Sequence, residues 1–127
     1  MMWRRNPEAA KRAAERRQRE DDAPRLAATV PNLESLGIRV VEGSPGISNP
    51  EGSHIRRIVV GTAPALFDLP CGDSQCRDGG HELTREVLSA LRSGKQQFEG
   101  EDSCRGVTGT AECRRVLRYV AMASYRT

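Results

Sequence analysis

The residues that most directly suggest chemistry lie in one short segment, CGDSQCRDGGH, which runs from Cys71 to His81. It places two thiols and one imidazole within eleven residues. Thiolate sulfur and imidazole nitrogen are donors that zinc binds, and a structural site needs them to converge on the ion. The glycines of the segment let the backbone turn sharply around a small centre. The segment supplies at most three donors, so a complete site needs ligands from elsewhere in the chain.

Two further thiols stand in a later glycine-rich loop, with Cys104 inside the loop and Cys113 opening the last strand. We expect the two loops to meet, because strand ends and helix starts are where a fold can gather distant ligands. Five candidate donors then compete for four places. The preferred set is the four cysteines, around one structural zinc. His81, at the start of the following helix, is the alternative fourth ligand. Otherwise it contacts a ligand without binding the metal itself.

The segment CRDGGH resembles the zinc knuckle, CxxCxxxxHxxxxC, over the six residues of its CxxxxH spacing. The chain departs from that pattern because its first pair is CxxxxC and no cysteine follows His81 by five positions. It is not assigned to that family. The ligand placement is also similar in outline to treble-clef zinc sites, which take one ligand pair from a turn and another near a helix start; this is an architectural analogy.

Other uses of the cysteines stay open. Local disulfides, Cys71 with Cys76 and Cys104 with Cys113, would staple the loops in an oxidising compartment. A thiol redox site at the CxxxxC pair would need one thiol with a lowered pKa, beside the helix start or Arg77. The cysteines could also be buried small apolar residues.

The expected compartment favours the metal over the disulfides. The amino-terminal sequence has no apolar run of signal-peptide length, and no segment approaches the length of a membrane span. We therefore expect a cytoplasmic protein with no membrane contact, where cysteines more often bind metals than form structural disulfides.

The sequence gives little support for an enzyme. It contains no phosphate-binding P-loop, no GxSxG and no HExxH motif. Glu99, Glu101 and Asp102 form an acidic cluster, but nothing pairs them as an acid and a base. Catalysis by zinc requires an open coordination position, which a set of four thiolates does not leave. We expect a non-enzymatic protein, and His54 is interpreted as an ordinary strand residue.

Charge suggests the kind of partner. The chain has 127 residues and a formal net charge of +3, and lysine occurs only at Lys11 and Lys95. Because arginine forms bidentate contacts with phosphate and carboxylate, we expect nucleic acid, a ribonucleoprotein or an acidic protein surface as partner. The candidate contact residues are Arg4, Arg5, Arg12, Arg16, Arg17, Arg56, Arg57, Arg114 and Arg118. The alternatives are a protein-interaction or assembly subunit with a structural zinc, and a thiol-based redox regulator.

The elements that must position these residues form one small domain. Residues 1–22 are predicted as a basic, exposed or disordered helical arm, 23–35 as a linker, and 36–127 as a single α+β zinc-binding domain. IRVVE and HIRRIVVG have the β-branched composition of a hairpin, and HELTREVLSALRSG has the periodicity of an amphipathic helix. In the last strand, alternation assigns Leu117, Tyr119, Ala121, Ala123 and Tyr125 to the core.

We therefore expect a small antiparallel sheet with one packed helix, two cysteine-bearing loops and a basic amino-terminal helix. Hydrophobic residues make up 37% and aromatic residues 4% of the chain, so the apolar core is modest. A bound metal would supplement such a core.

Overall fold

The centre of the fold is a four-stranded antiparallel sheet, whose strands lie side by side in the order Ser53–Ile58, Leu33–Gly43, Val116–Tyr125 and Gln97–Ser103. The structure is a computed structural model that describes residues 7–43, 53–71, 76–77, 79–109 and 111–126. Its elements are α1 Pro7–Asp22, α2 Leu26–Thr29, β1 Leu33–Gly43, β2 Ser53–Ile58, β3 Asp68–Leu69, β4 Cys76–Arg77, β5 His81–Glu82, α3 Thr84–Arg92, β6 Gln97–Ser103, β7 Val107–Thr108, β8 Ala111–Glu112 and β9 Val116–Tyr125. The predicted α+β class, with one helix packed on a small antiparallel sheet, is confirmed.

The two long strands, β1 and β9, lie side by side and carry most of the core. Alternation in β9 buries Leu117, Tyr119 and Ala121, as the sequence predicts, and Leu36, Ile38 and Val40 of β1 point to the same side. The predicted hairpin is β1 with β2, and its connecting residues 44–52 lie outside the described residues.

The helix α3 covers the core side of the sheet with Val87 and Leu91, which are 0% and 1% exposed. It ends at Arg92, and the predicted left-handed cap follows at Gly94, whose φ of +74° is a conformation that glycine adopts without steric cost. Its start was predicted wrongly. The helix begins at Thr84, because His81 and Glu82 are held in β5 by antiparallel pairing with Leu69 and Asp68 of β3.

The segment from α2 to the first residue of β1 is packed into the core. Leu26 in α2, Val30 and Leu33 are between 0% and 2% exposed. Backbone hydrogen bonds from Leu26 N–H to Ala63 and from Ala65 N–H to Pro24 tie this segment to the loop after β2. The segment interpreted as a linker thus supplies three core side chains.

The first helix, α1, has few means of apolar packing because its only apolar side chains are alanines. Arg12, Arg16 and Glu20, spaced four residues apart, are half-buried. Near its end, Arg19 Nη2 lies 2.6 Å from Oδ2 of Asp68, a buried carboxylate that Arg105 also contacts at 3.3 Å. An ionic contact therefore joins α1 to the rest of the fold.

The side of the sheet turned away from the core is called the outer face below. It is defined by Gly37, Arg39, Val41, Ile55, Arg57, Gln97, Glu99, Glu101, Arg118, Val120 and Met122.

Within the residues that the structure describes, no helix is long and apolar enough to cross a membrane.

Candidate metal centre

The four cysteines converge on one point. The sulfur atoms of Cys71, Cys76, Cys104 and Cys113 all lie within 4.8 Å of one another. Cys71 Sγ is 3.8 Å from Cys113 Sγ, and Cys76 Sγ is 3.6 Å from Cys104 Sγ. Cys104 and Cys113 are buried and the other two are half-buried. This arrangement can hold a single metal ion between the two loops.

Short strands position the thiols. Cys71 follows β3, and Cys76 lies in β4, which pairs with β7 so that Cys76 stands opposite Thr108. The strands β7 and β8 form a hairpin that returns the chain from Cys104 to Cys113. The loop predicted to be irregular is therefore a small sheet that docks one cysteine loop on the other.

Cys113 was predicted to open the last strand. This was wrong, because β9 begins only at Val116. The N–H of Cys113 donates to the carbonyl of Gly106, and the N–H of Cys104 donates to the carbonyl of Arg115. These bonds fold both ends of the second loop back on each other, which brings Cys104 and Cys113 to the same centre.

Backbone amides are directed at sulfur. The N–H groups of Gly80 and Gly106 each lie 3.4 Å from Cys104 Sγ and donate to it. Such bonds stabilise thiolate charge and orient the ligand. Gly79 lies against two sulfurs: a Cβ at this position would overlap Cys76 Sγ and approach Cys104 Sγ to 2.7 Å. Glycine at 79 is therefore required for the close approach of backbone and sulfur.

The surroundings of the cluster shift the pKa values of Cys76 and Cys113 in opposite directions. Burial, aided by hydrogen bonds with Cys104 and Cys113, raises the pKa of Cys76 to about 12. Burial also acts to raise the pKa of Cys113, but hydrogen bonds from the Arg115 backbone and the neighbouring thiols outweigh it and lower that pKa. A cation among the sulfurs is what would let all four ionise together.

The two local disulfides considered from the sequence are not formed. All four cysteines are in the thiol form, and the 3.6 Å and 3.8 Å separations join sulfurs of different loops. A disulfide bond needs sulfurs about 2.05 Å apart. Both of these pairs connect the two loops.

His81 is completely buried, and the structure does not bring it into the group of four sulfurs. Its Nε2 is 3.1 Å from Glu42 Oε2, and its Nδ1 is 3.4 Å from Asp102 Oδ2 in an orientation too poor for a hydrogen bond. Arg115 donates to the other oxygen of Glu42. The imidazole thus links β5 to β1 beside the cysteine centre. Glu42 carries no sequence signal for this contact, since it is one more strand carboxylate far away in the chain.

The candidate arginines do not gather on one surface. Arg4 and Arg5 lie outside the described residues. Arg56 is on the core side of β2 opposite Ile38, and Arg57 is on the outer face opposite Gly37. Arg118 Nε is 3.3 Å from Glu101 Oε2 on the outer face. The remaining candidates are Arg12, Arg16 and Arg17 on α1 and the exposed Arg114 before β9.

Compared with models of protein families, with curated proteins and with solved structures, the chain gives no match. The arrangement of its own side chains is therefore the basis for assigning a role.

Proposed function

We propose that this protein is a non-enzymatic binding domain whose two cysteine loops are tied together by one structural zinc ion. The observation that carries the proposal is the convergence of four sulfurs within 4.8 Å from two separate loops. Four thiols at one point are a costly arrangement without a metal, because they would repel one another when ionised.

The spacing of the sulfurs suits zinc. A tetrahedron with zinc–sulfur bonds of about 2.3 Å has edges of about 3.8 Å. The Cys71–Cys113 and Cys76–Cys104 pairs, at 3.8 Å and 3.6 Å, match that edge. The amide donors to Cys104 supply the outer hydrogen bonds that zinc thiolates commonly have.

A site with four cysteine ligands favours a structural role. Because the protein fills every tetrahedral position, no place is left for water or substrate. The ion would join β3 and β4 to the β7–β8 hairpin, where each strand has only two residues and little stability of its own. Metal binding then contributes directly to the folding free energy of this half of the molecule.

The surface favours a protein as the bound partner. The helix α1 carries five basic and five acidic side chains, so the described arm has no net formal charge. The outer face mixes arginine and glutamate with exposed apolar side chains, and Ile55 and Met122 are 73% and 57% exposed. Exposed apolar side chains rimmed by mixed charges are typical of protein interfaces.

Nucleic acid is the second candidate partner. It is favoured by the exposed Arg56 and Arg57, which lie on the two sides of β2, and by the exposed Arg114, since arginine binds phosphate through bidentate contacts. Binding through these residues would weaken steeply as salt is raised, because each phosphate contact releases counterions.

The experiment combines metal removal with a test of binding. Chelation of zinc should unfold the β3–β5 and β7–β8 region in circular dichroism and amide exchange, and added zinc should restore it. A protein partner should be retained after nuclease treatment, whereas a nucleic-acid partner should be released by it. A fold that is unchanged after complete removal of metal would refute the structural role.

A further inference from the structure

The outer face has the features of a contact surface between two copies of this chain. Met122 in the middle of β9 is 57% exposed and Ile55 on β2 is 73% exposed, although both are large apolar side chains. Between them, Gly37 on β1 is the register partner of both Met122 and Arg57. One end of the outer face therefore has a protruding side chain beside a position without one.

We propose that the protein forms a two-fold symmetric dimer in which the outer faces of two copies pack together. The proposal rests on the binding role proposed above and names a second copy as the partner. With the axis parallel to the strands and between β1 and β9, Met122 of each copy lies over Gly37 of the other. A symmetric interface of this kind needs a self-complementary surface, and a side chain next to a gap provides one.

The gap at Gly37 is open within the chain. A Cβ at this position would meet only the backbone oxygen of Arg56, at 3.9 Å, and its φ is not positive. Neither strain nor crowding in the monomer therefore calls for glycine here, and glycine weakens a strand. Space for a side chain of a second copy accounts for its presence.

The charges on the outer face also match those of a second copy. Arg39 and Arg57 make the β1–β2 half positive, and Glu99 and Glu101 make β6 the acidic edge, where Arg118 offsets Glu101. The two-fold operation places β6 of one copy over β2 of the other. Glu99 then lies over Ile55 and one outward-facing position along β2 from Arg57, so the acidic edge of each copy faces the basic edge of the other.

The same charges argue against nucleic acid on this face. Glu99 and Glu101 would repel phosphates, and the outer face as described carries no aromatic side chain on which bases could stack. Four strands about 4.8 Å apart, with six residues rising about 3.3 Å each, give a face of only about 20 by 20 Å. That area is small for a stable complex, so we expect a dimer that dissociates on dilution.

The test is sedimentation velocity of the zinc-loaded chain over a hundredfold range of concentration. We expect a monomer–dimer equilibrium that Met122→Lys weakens more than about tenfold. Gly37→Val should weaken the dimer similarly while leaving the melting temperature of the monomer equal or higher, because a β-branched residue suits a strand. Arg85→Glu, at an exposed position of α3 away from the outer face, is the control and should have little effect.

Charge exchange makes the test specific for the proposed geometry. Arg57→Glu and Glu99→Arg should each weaken self-association, since each places like charges on facing edges of the two copies. A mixture of the two variants should form a heterodimer of nearly wild-type affinity. A monomer at every concentration, or a dimer that Met122→Lys and Gly37→Val leave intact, would overturn the proposal.

Zinc content measured on the same samples separates this proposal from the zinc-stabilised domain. A zinc-loaded monomer contradicts the dimer alone. A folded dimer without metal contradicts the structural zinc alone.

Discussion

Cys71 and Cys113 are 42 residues apart in the chain, yet their sulfur atoms lie 3.8 Å apart. The contact exists because the β7–β8 hairpin docks on β4 and returns the chain to the end of β3. Cys76 and Cys104 form the second cross-loop pair. The two cysteine loops are thus halves of one centre.

Loss of one sulfur should remove the metal. Cys104 is buried and accepts two amide hydrogen bonds, so Cys104→Ser replaces a buried, hydrogen-bonded sulfur with a weaker ligand. We expect zinc affinity, measured by competition with a chromophoric chelator, to fall by more than about a hundredfold. Ser103→Ala, at the exposed neighbouring position, should leave affinity unchanged. Equal affinities in the two variants would exclude Cys104 as a ligand.

The glycine beside the sulfurs should tolerate no side chain. In Gly79→Ala the new methyl group would overlap Cys76 Sγ, and ligand sulfurs held by an ion cannot move aside. We expect zinc affinity and melting temperature both to fall. Gly61→Ala is the matched control, because nothing lies within 4 Å of a Cβ there. The prediction fails if Gly79→Ala binds zinc as tightly as Gly61→Ala does.

Removing the buried imidazole should affect stability and spare the metal. His81→Ala leaves a cavity and takes one hydrogen-bond partner from Glu42. We expect the free energy of unfolding in denaturant to fall by about 2–4 kcal/mol, with one zinc still bound per folded chain. Zinc affinity as weak as that of Cys104→Ser would instead make His81 a ligand, the alternative that the sequence left open.

The ionic contact of α1 should hold the end of that helix. Arg19→Ala removes the closest cation from the buried Asp68 carboxylate, leaving Arg105 as its contact. We expect faster amide hydrogen exchange in the last turns of α1 and a loss of about 1–3 kcal/mol in unfolding free energy. Arg17→Ala removes an exposed charge from the same helix and is the control. If both variants exchange alike, Asp68 does not anchor α1.

Local patterns in the sequence were sufficient to predict the long strands and the presence of the packed helix. Alternation in β9 identified the buried Leu117 and Tyr119, because a half-buried strand has a period of two. Leu26 and Val30 were not predicted as core, since isolated apolar residues beside a proline resemble a linker until their distant partners are known. The contacts of His81 with Glu42 and Asp102 were also beyond prediction, because they depend on the register of three separate strands.

The cysteines illustrate the same limit. Their residue type predicted a shared centre, and the structure brings the four sulfurs together. Which sulfurs are closest could not be predicted, because that depends on the pairing of β4 with β7, two strands of two residues each. Such short strands have almost no sequence signal.

The most direct test of the central claim is metal analysis combined with thiol counting, on protein purified without reducing agent or chelator. If one zinc ion is bound by the four cysteines, we expect one zinc per chain. No thiol should react until the protein is denatured, when all four should react. Four freely reactive thiols in the folded protein, with no bound metal, would contradict the claim.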